Sequence, residues 1–213
     1  MKILSSEITP YKTYRNRRKF IKEALSVSAI SLIGKPSFGY HETNEDHLLN
    51  QLDENDSLNT FEEITNYNNF YEFGTGKTDP ANFSKNFQPI PWSVSIEGLV
   101  KKPAIYNIED IMKNVTLEDR VYRLRCVEAW SMVIPWHGFP LKLLVDKVEP
   151  FSNAKYIQFE TVFRPLEMPG QRKKFLPWPY IEGLRMDEAM HPLTIIATGM
   201  YGHNLLNQNG APF

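Results

Sequence analysis

A single cysteine, Cys126, in 213 residues means that no internal disulfide can brace this chain. Its fold must therefore be held by buried apolar side chains. The material is present: 42% of the residues are apolar, with 13 Phe, 10 Tyr and 4 Trp, enough for a substantial core. Formal net charge is −1, which gives no reason to expect nucleic acid or an anionic membrane surface as a partner. The lone thiol carries a constraint of its own. In an exported protein it is open to oxidation unless buried or bound to something. As a small buried apolar residue it would need no function at all.

Export is suggested by the first 40 residues. The run Arg15-Asn16-Arg17-Arg18-Lys19-Phe20-Ile21-Lys22 resembles the twin-arginine signal, an arginine pair followed by an aromatic, an aliphatic and a lysine. A modestly apolar stretch, Ala24 to Ile33, follows; it is roughly half the length of a membrane-spanning helix. Asn16 stands where Ser or Thr is usual, and no clean A-x-A cleavage site follows. The twin-arginine route carries proteins that are already folded, which suits one that takes up a cofactor in the cytoplasm. The resulting expectation is a periplasmic protein.

Beyond the signal region (1–40), residues 41–66 are polar and acidic and read as an arm or linker rather than core. The folded domain is expected over 67–213. Trp92 to Glu97 alternates as a strand with one buried face. Asn107 can cap a short helix from Ile108, with Glu109 and Asp110 in the favourable first turn. Val121 to Val127 reads as a strand with Tyr122, Leu124 and Cys126 on one face and Arg123 and Arg125 on the other. Leu141, Leu144, Val145 and Val148 make one apolar stripe of a helix. Lys155 to Thr161 is again strand-like, with Ile157, Phe159 and Thr161 sharing a face, and Leu193 to Thr198 reads as a short buried strand. Strands interspersed with short helices predict an α+β domain.

Motifs exclude several chemistries. There is no H-E-x-x-H and no Cys/His spacing suited to zinc. His137, in Pro135-Trp136-His137-Gly138, has a turn-like context and needs no role. G-x-G-x-x-G, P-loop and G-x-S-x-G are all absent, so phosphate-loop and serine-hydrolase readings have no support. Cys126 remains. A soft thiolate suits a soft or high-valent metal. Arg123 and Arg125 favour a thiolate or phosphate nearby, although alternation aims them away from the sulfur.

Longer runs narrow the choice. Tyr67-Asn68-Asn69-Phe70-Tyr71-Glu72-Phe73-Gly74 and Arg123-Leu124-Arg125-Cys126-Val127-Glu128-Ala129-Trp130-Ser131-Met132 resemble motifs of the molybdenum-dependent methionine sulfoxide reductase catalytic subunits, members of the sulfite oxidase superfamily. Ser152 to Tyr156, Phe159 to Thr161, Met168 to Gln171, Asp187 to Thr194 and Gln208 to Pro212 match in the same order. The resemblance runs from about Tyr67 to the last residue. It implies a sulfite-oxidase-like molybdopterin-binding fold of α+β type, a molybdenum-molybdopterin cofactor, and Cys126 as catalytic residue and protein ligand to the metal. Asn68, Tyr71, Glu72, Thr161 and Asn209 match positions that hold the pterin. The implied reaction is oxygen-atom transfer from methionine sulfoxide residues of oxidised periplasmic proteins, with electrons from a haem-containing membrane subunit.

Two departures accompany the resemblance. Arg172 to Tyr180 is shorter than the family usually shows and lacks its glycine-rich stretch. The family also continues past the position of Phe213 with an Arg and a basic segment that binds the cofactor phosphate, so the fold is expected to be truncated at the C-terminus. Donors for a dianionic phosphate would then be lacking, and the chain as written would bind molybdopterin poorly. A sulfite-oxidising relative, an inactive truncated family member without cofactor, and a binding module using Cys126 only for packing stay open as alternatives.

Overall fold

The computed structural model describes Leu48, residues 51–52 and residues 56–213. The twin-arginine stretch lies outside the described residues. Three antiparallel sheets with short helices between them make the α+β architecture that the sequence predicts.

The first element, α1 (Phe61–Asn66), starts at a capping box. The Thr60 hydroxyl accepts the Glu63 N–H at 3.2 Å, while the Glu63 carboxylate accepts the Thr60 N–H at 2.8 Å, satisfying two donors that a helix start leaves open. This corrects the reading of 41–66 as an arm. Within that polar run, Phe61 and Ile64 lie three residues apart and form one apolar helix face. Ile64 is among the most deeply buried residues, packed with Met132, Ile134, Met200, Tyr201 and Leu205. Leu48 is buried as well.

The central sheet has four strands in the order β3-β4-β7-β8. Before it come the helix α2 (Asp79–Phe83), the hairpin of β1 (Ser93–Ile96) with β2 (Ala104–Asn107), and the helix α3 (Ile108–Met112). Asn107 stands at the α3 N-cap as predicted, although its side chain makes no capping bond. Strand β3 (Glu118–Arg125) pairs with β4 (Ser131–Pro140), Arg125 lying opposite Ser131. It stops one residue before Cys126 instead of running to Val127. Arg123 and Arg125 are exposed on it while Leu124 is partly buried, as alternation requires. His137 is buried inside β4, not in a turn, with Nδ1 2.9 Å from the Asp119 carboxylate. The Pro and Gly beside it suggested a turn, but β4 accommodates them at a register shift between His137 and Gly138. A Cβ on Gly138 would lie 2.1 Å from the Ile196 carbonyl, so the close approach of β7 (Ile195–Met200) requires glycine.

Helix α4 (Leu141–Val148) buries Leu141, Val145 and Val148, the predicted stripe. It packs on Ala189 of α5 (Met186–Ala189). Strands β5 (Tyr156–Glu160) and β6 (Ile181–Arg185) form a separate two-stranded ribbon, and β8 (His203–Asn204) closes the central sheet. On β5 Phe159 is exposed, because a two-stranded ribbon has little surface with which to cover alternate side chains. A second core of Phe73, Phe87 and Met168, flanked by Phe70 and Trp92, holds edge-to-face rings, Phe70 to Phe73 at 5.1 Å and Phe73 to Phe87 at 6.0 Å. Such rings prefer this geometry.

Phe139 on β4 is fully buried, so Phe139→Ala is expected to destabilise the chain by about 3–5 kcal/mol through lost burial and the residual cavity. Urea unfolding followed by circular dichroism measures the change.

Candidate cofactor site

The site grows from the turn between β3 and β4. Cys126 donates its N–H to the Trp130 carbonyl at 2.9 Å, and its own carbonyl accepts the Ala129 N–H at 3.0 Å. Ala129 takes a left-handed φ of 72°, a conformation that costs a non-glycine residue about 1–2 kcal/mol. This tight turn presents the Cys126 sulfur to two donors, the Asn69 side-chain amide at 2.8 Å and the Glu128 N–H at 3.5 Å. Donors aimed at a sulfur suit one that carries negative charge.

Glu128 anchors the turn from the other side. Its carboxylate accepts the Tyr71 hydroxyl at 2.6 Å and the Trp130 indole N–H at 2.9 Å, and pairs with the Lys77 ammonium. The hydrogen bonds from Lys77, Tyr71 and Trp130 pull its pKa down to about 2, so it is a carboxylate at any physiological pH. The same bond to Glu128 raises the Tyr71 pKa.

A cavity of about 560 Å³ opens beside this turn. Five of the six residues singled out from sequence line it: Asn68, Tyr71, Glu72, Thr161 and Asn209. Cys126 is not in its wall. Its neighbours Asn69 and Glu128, which donate to the sulfur, and Leu124 and Val127 do line it. Asn68 and Asn209 both donate their amide N–H to the Ile64 carbonyl, at 2.9 and 3.1 Å. That carbonyl lies in the last turn of α1, where helical partners run out; the Asn68 backbone N–H, which might have served it, goes to the Lys77 carbonyl. Both amide oxygens, Asn68 Oδ1 and Asn209 Oδ1, are buried without a hydrogen-bond partner. Unpaired buried acceptors are costly, and a ligand that brought N–H or O–H donors to them would remove that cost.

The remaining wall is set by close backbone contact. The Gly170 N–H donates to the Glu72 carbonyl at 2.7 Å, and a Cβ there would lie 2.0 Å from the Tyr71 carbonyl. Thr161 follows the end of β5; its N–H donates to the Tyr180 carbonyl at 3.0 Å and its hydroxyl accepts the Tyr180 N–H at 3.2 Å. The short Arg172 to Tyr180 segment turns over the cavity, placing Leu176 and Tyr180 in its wall and the Phe175 ring edge-on to Tyr71 at 6.0 Å. Among the described residues no group of three His, Cys, Asp or Glu is placed to hold a metal. A metal at Cys126 could take its remaining ligands from an organic group that it arrives with. A pterin dithiolene is such a ligand, and its ring N–H and amino groups match the two unpaired amide oxygens. Molybdopterin fits this part of the site.

Sequence reasoning missed Asn69, Lys77, Glu128 and Trp130 as functional neighbours of Cys126. Asn69, Glu128 and Trp130 lay inside the quoted motifs, but strand alternation says nothing about the aim of turn side chains. The Lys77–Glu128 pair spans 51 residues of sequence and appears only once the chain folds.

Burial raises the Glu72 pKa above its usual 4.5. Below that unfolded value both states are protonated and the burial costs nothing. As pH rises through the folded pKa, the unfolded state gains ionisation energy that the folded state forgoes, and stability is lost. Glu72→Gln is therefore expected to raise the melting temperature of the cofactor-free chain at neutral pH, with the gain fading as pH falls to about 4. Calorimetric scans of both proteins across that range measure the effect; a gain independent of pH would contradict this account of Glu72.

Comparison with known proteins gives the same picture. The family described as "Oxidoreductase molybdopterin binding domain" matches residues 81–213. The protein-methionine-sulfoxide reductase catalytic subunit MsrP of Burkholderia mallei (strain ATCC 23344) is 48% identical over 216 residues, covering 97% of this chain and 65% of that protein. MsrP of Gluconobacter oxydans (strain 621H) is 47% identical over 211 residues, covering 98% and 66%. The chain thus spans just under two thirds of the length of these relatives. Among solved structures, the sulfane dehydrogenase SoxCD from Paracoccus pantotrophus aligns with a TM-score of 0.45 at 15% identity, over 57% of this chain and 32% of that one. With its cavity, its thiol and its matched sequence taken together, the chain belongs to the oxidoreductase molybdopterin-binding domain family and is MsrP-like within it.

Proposed function

We propose that this chain is the cofactor-holding part of a periplasmic molybdenum oxidoreductase that reduces methionine sulfoxide residues in proteins to methionine. One observation carries the cofactor reading: two buried, unpartnered amide oxygens belong to Asn68 and Asn209, which line one cavity together with residues packed around Cys126. The substrate class follows the MsrP relatives.

Cys126 would be the protein's ligand to molybdenum, and Asn68, Tyr71, Glu72, Thr161 and Asn209 would hold the pterin. When bound, molybdopterin supplies the metal and its two-electron oxygen-atom chemistry. The chain's own contribution is position and charge. Asn69 and the Glu128 N–H orient the Cys126 sulfur, a hydrogen-bonded arrangement of the kind that tunes a metal ligand. Asn68 and Asn209 hold their oxygens fixed through the Ile64 carbonyl. Leu176, Tyr180 and Trp130 keep the cavity wall apolar and limit water. The overall conversion takes a sulfoxide, two protons and two electrons to a sulfide and water. A haem-containing membrane subunit would deliver the electrons, and oxidised periplasmic proteins would be the substrates. The twin-arginine run at Arg17 and Arg18 would direct export of the folded chain.

Cys126→Ser tests the assignment in the chain fused to the segment by which its relatives extend beyond it. A neutral hydroxyl replaces a soft thiolate poorly, so turnover of methionine sulfoxide should vanish. Activity within about twofold of the parent, with molybdenum still bound, would contradict the reading.

Replacing both Arg17 and Arg18 by Lys should leave the protein in the cytoplasm, because a twin-arginine signal is an address read by a receptor. Cell fractionation with immunoblotting reads the outcome, and undiminished periplasmic accumulation would refute the export reading.

A further inference from the structure

The charge of the cavity wall carries information about what enters. Its ionisable carboxyl side chains are Glu72 and Glu128, and among the described residues no Lys, Arg or His lines it. The cation that reaches the wall from behind is Lys77. Its ammonium pairs with Glu128 and lies 5.9 Å from the centre of the Tyr71 ring. The three arginines of β3 do not line the wall: Arg120 pairs with Glu118, Arg123 pairs with Asp56, and both Arg123 and Arg125 are exposed.

An oxyanion such as sulfite or sulfate needs Arg, Lys or clustered N–H donors at its site. A sulfoxide is a neutral dipole and needs none of that compensation. We infer that Glu128 sets the substrate class of this site: by cancelling Lys77 it keeps the Cys126 end of the cavity free of net positive charge, so that an uncharged sulfoxide is admitted and oxyanions are turned away. The inference rests on the proposed reading of this cavity as the reaction site. It makes Glu128 a specificity-determining residue, beyond its place as an acceptor for Tyr71 and Trp130.

Glu128→Gln separates the two roles. The amide oxygen can keep the bond from the Trp130 indole while the amide NH2 donates to the Tyr71 hydroxyl oxygen, so the side chain can stay in place, but the Lys77 ammonium loses its counter-charge. The probe is sodium sulfate, titrated calorimetrically into the chain at low ionic strength, where such charges are least screened. Glu128→Gln should bind sulfate at least about tenfold more tightly than the parent. Adding Lys77→Met should return binding to the parent value. Equal sulfate binding by parent and Glu128→Gln, or equally tight binding by the single and double variants, would overturn the inference. The parent alone decides independently of any effect of substitution on folding: a sulfate Kd below about 1 mM would show that the wall already accepts oxyanions. These titrations need neither cofactor nor turnover. A loaded protein inactive on methionine sulfoxide would thus count against the proposed function and leave the sulfate result standing.

Discussion

One helix carbonyl organises part of the site. Ile64 lies in the last turn of α1, where a carbonyl has no helical donor to receive, and its depth in the core removes water as a substitute. Two side-chain amides meet the demand, one from Asn68, four residues on, and one from Asn209, 145 residues on. Each amide can satisfy the carbonyl with only its nitrogen. Its oxygen is left buried without a partner. The cost of two unpaired buried acceptors is of the order of a few kcal/mol, and a ligand with donors at the right places recovers it on binding.

The residues around Cys126 obey a different rule. There the turn after β3 is fixed by charge: Glu128 collects Lys77, Tyr71 and Trp130, and its backbone N–H reaches the Cys126 sulfur. The continuous segment from Ile64 to Glu72 serves both groups, through Asn68 on the Ile64 carbonyl, Asn69 on the Cys126 sulfur and Tyr71 on Glu128. Gly170, pressed against the Tyr71 and Glu72 carbonyls, holds that segment in place. The sulfur and the unpaired oxygens therefore sit on a single scaffold, as a site that must hold one rigid ligand at two points requires.

Much of this was legible in the sequence. The alternation around Leu124, the stripe from Leu141 to Val148 and the α+β class all follow from periodicity, because these elements bury one face against a core. The start of the folded region was less legible, since Phe61 and Ile64 sit in a run dominated by Asn, Asp and Glu and two apolar residues make a weak signal. His137 misled for the opposite reason: its Pro and Gly neighbours look like a turn, while β4 uses that glycine to let β7 approach. At the site, the matched motifs named residues that line one cavity, but they could not show that Glu128 neutralises Lys77 or that Asn69 addresses the sulfur. Those are contacts between turns distant in sequence, and no local pattern encodes them.

The central claim is that one molybdopterin spans the cavity, with its metal at Cys126 and its pterin at Asn68 and Asn209. Anomalous diffraction at the molybdenum edge tests it most directly, using crystals of the protein produced in cells that make the cofactor and fused to the segment by which its relatives extend beyond it. The account predicts a molybdenum peak within bonding distance of Cys126 Sγ, and pterin density whose N–H groups meet Asn68 Oδ1 and Asn209 Oδ1. A molybdenum peak away from Cys126, or a pterin that leaves those two oxygens unpaired, would contradict it.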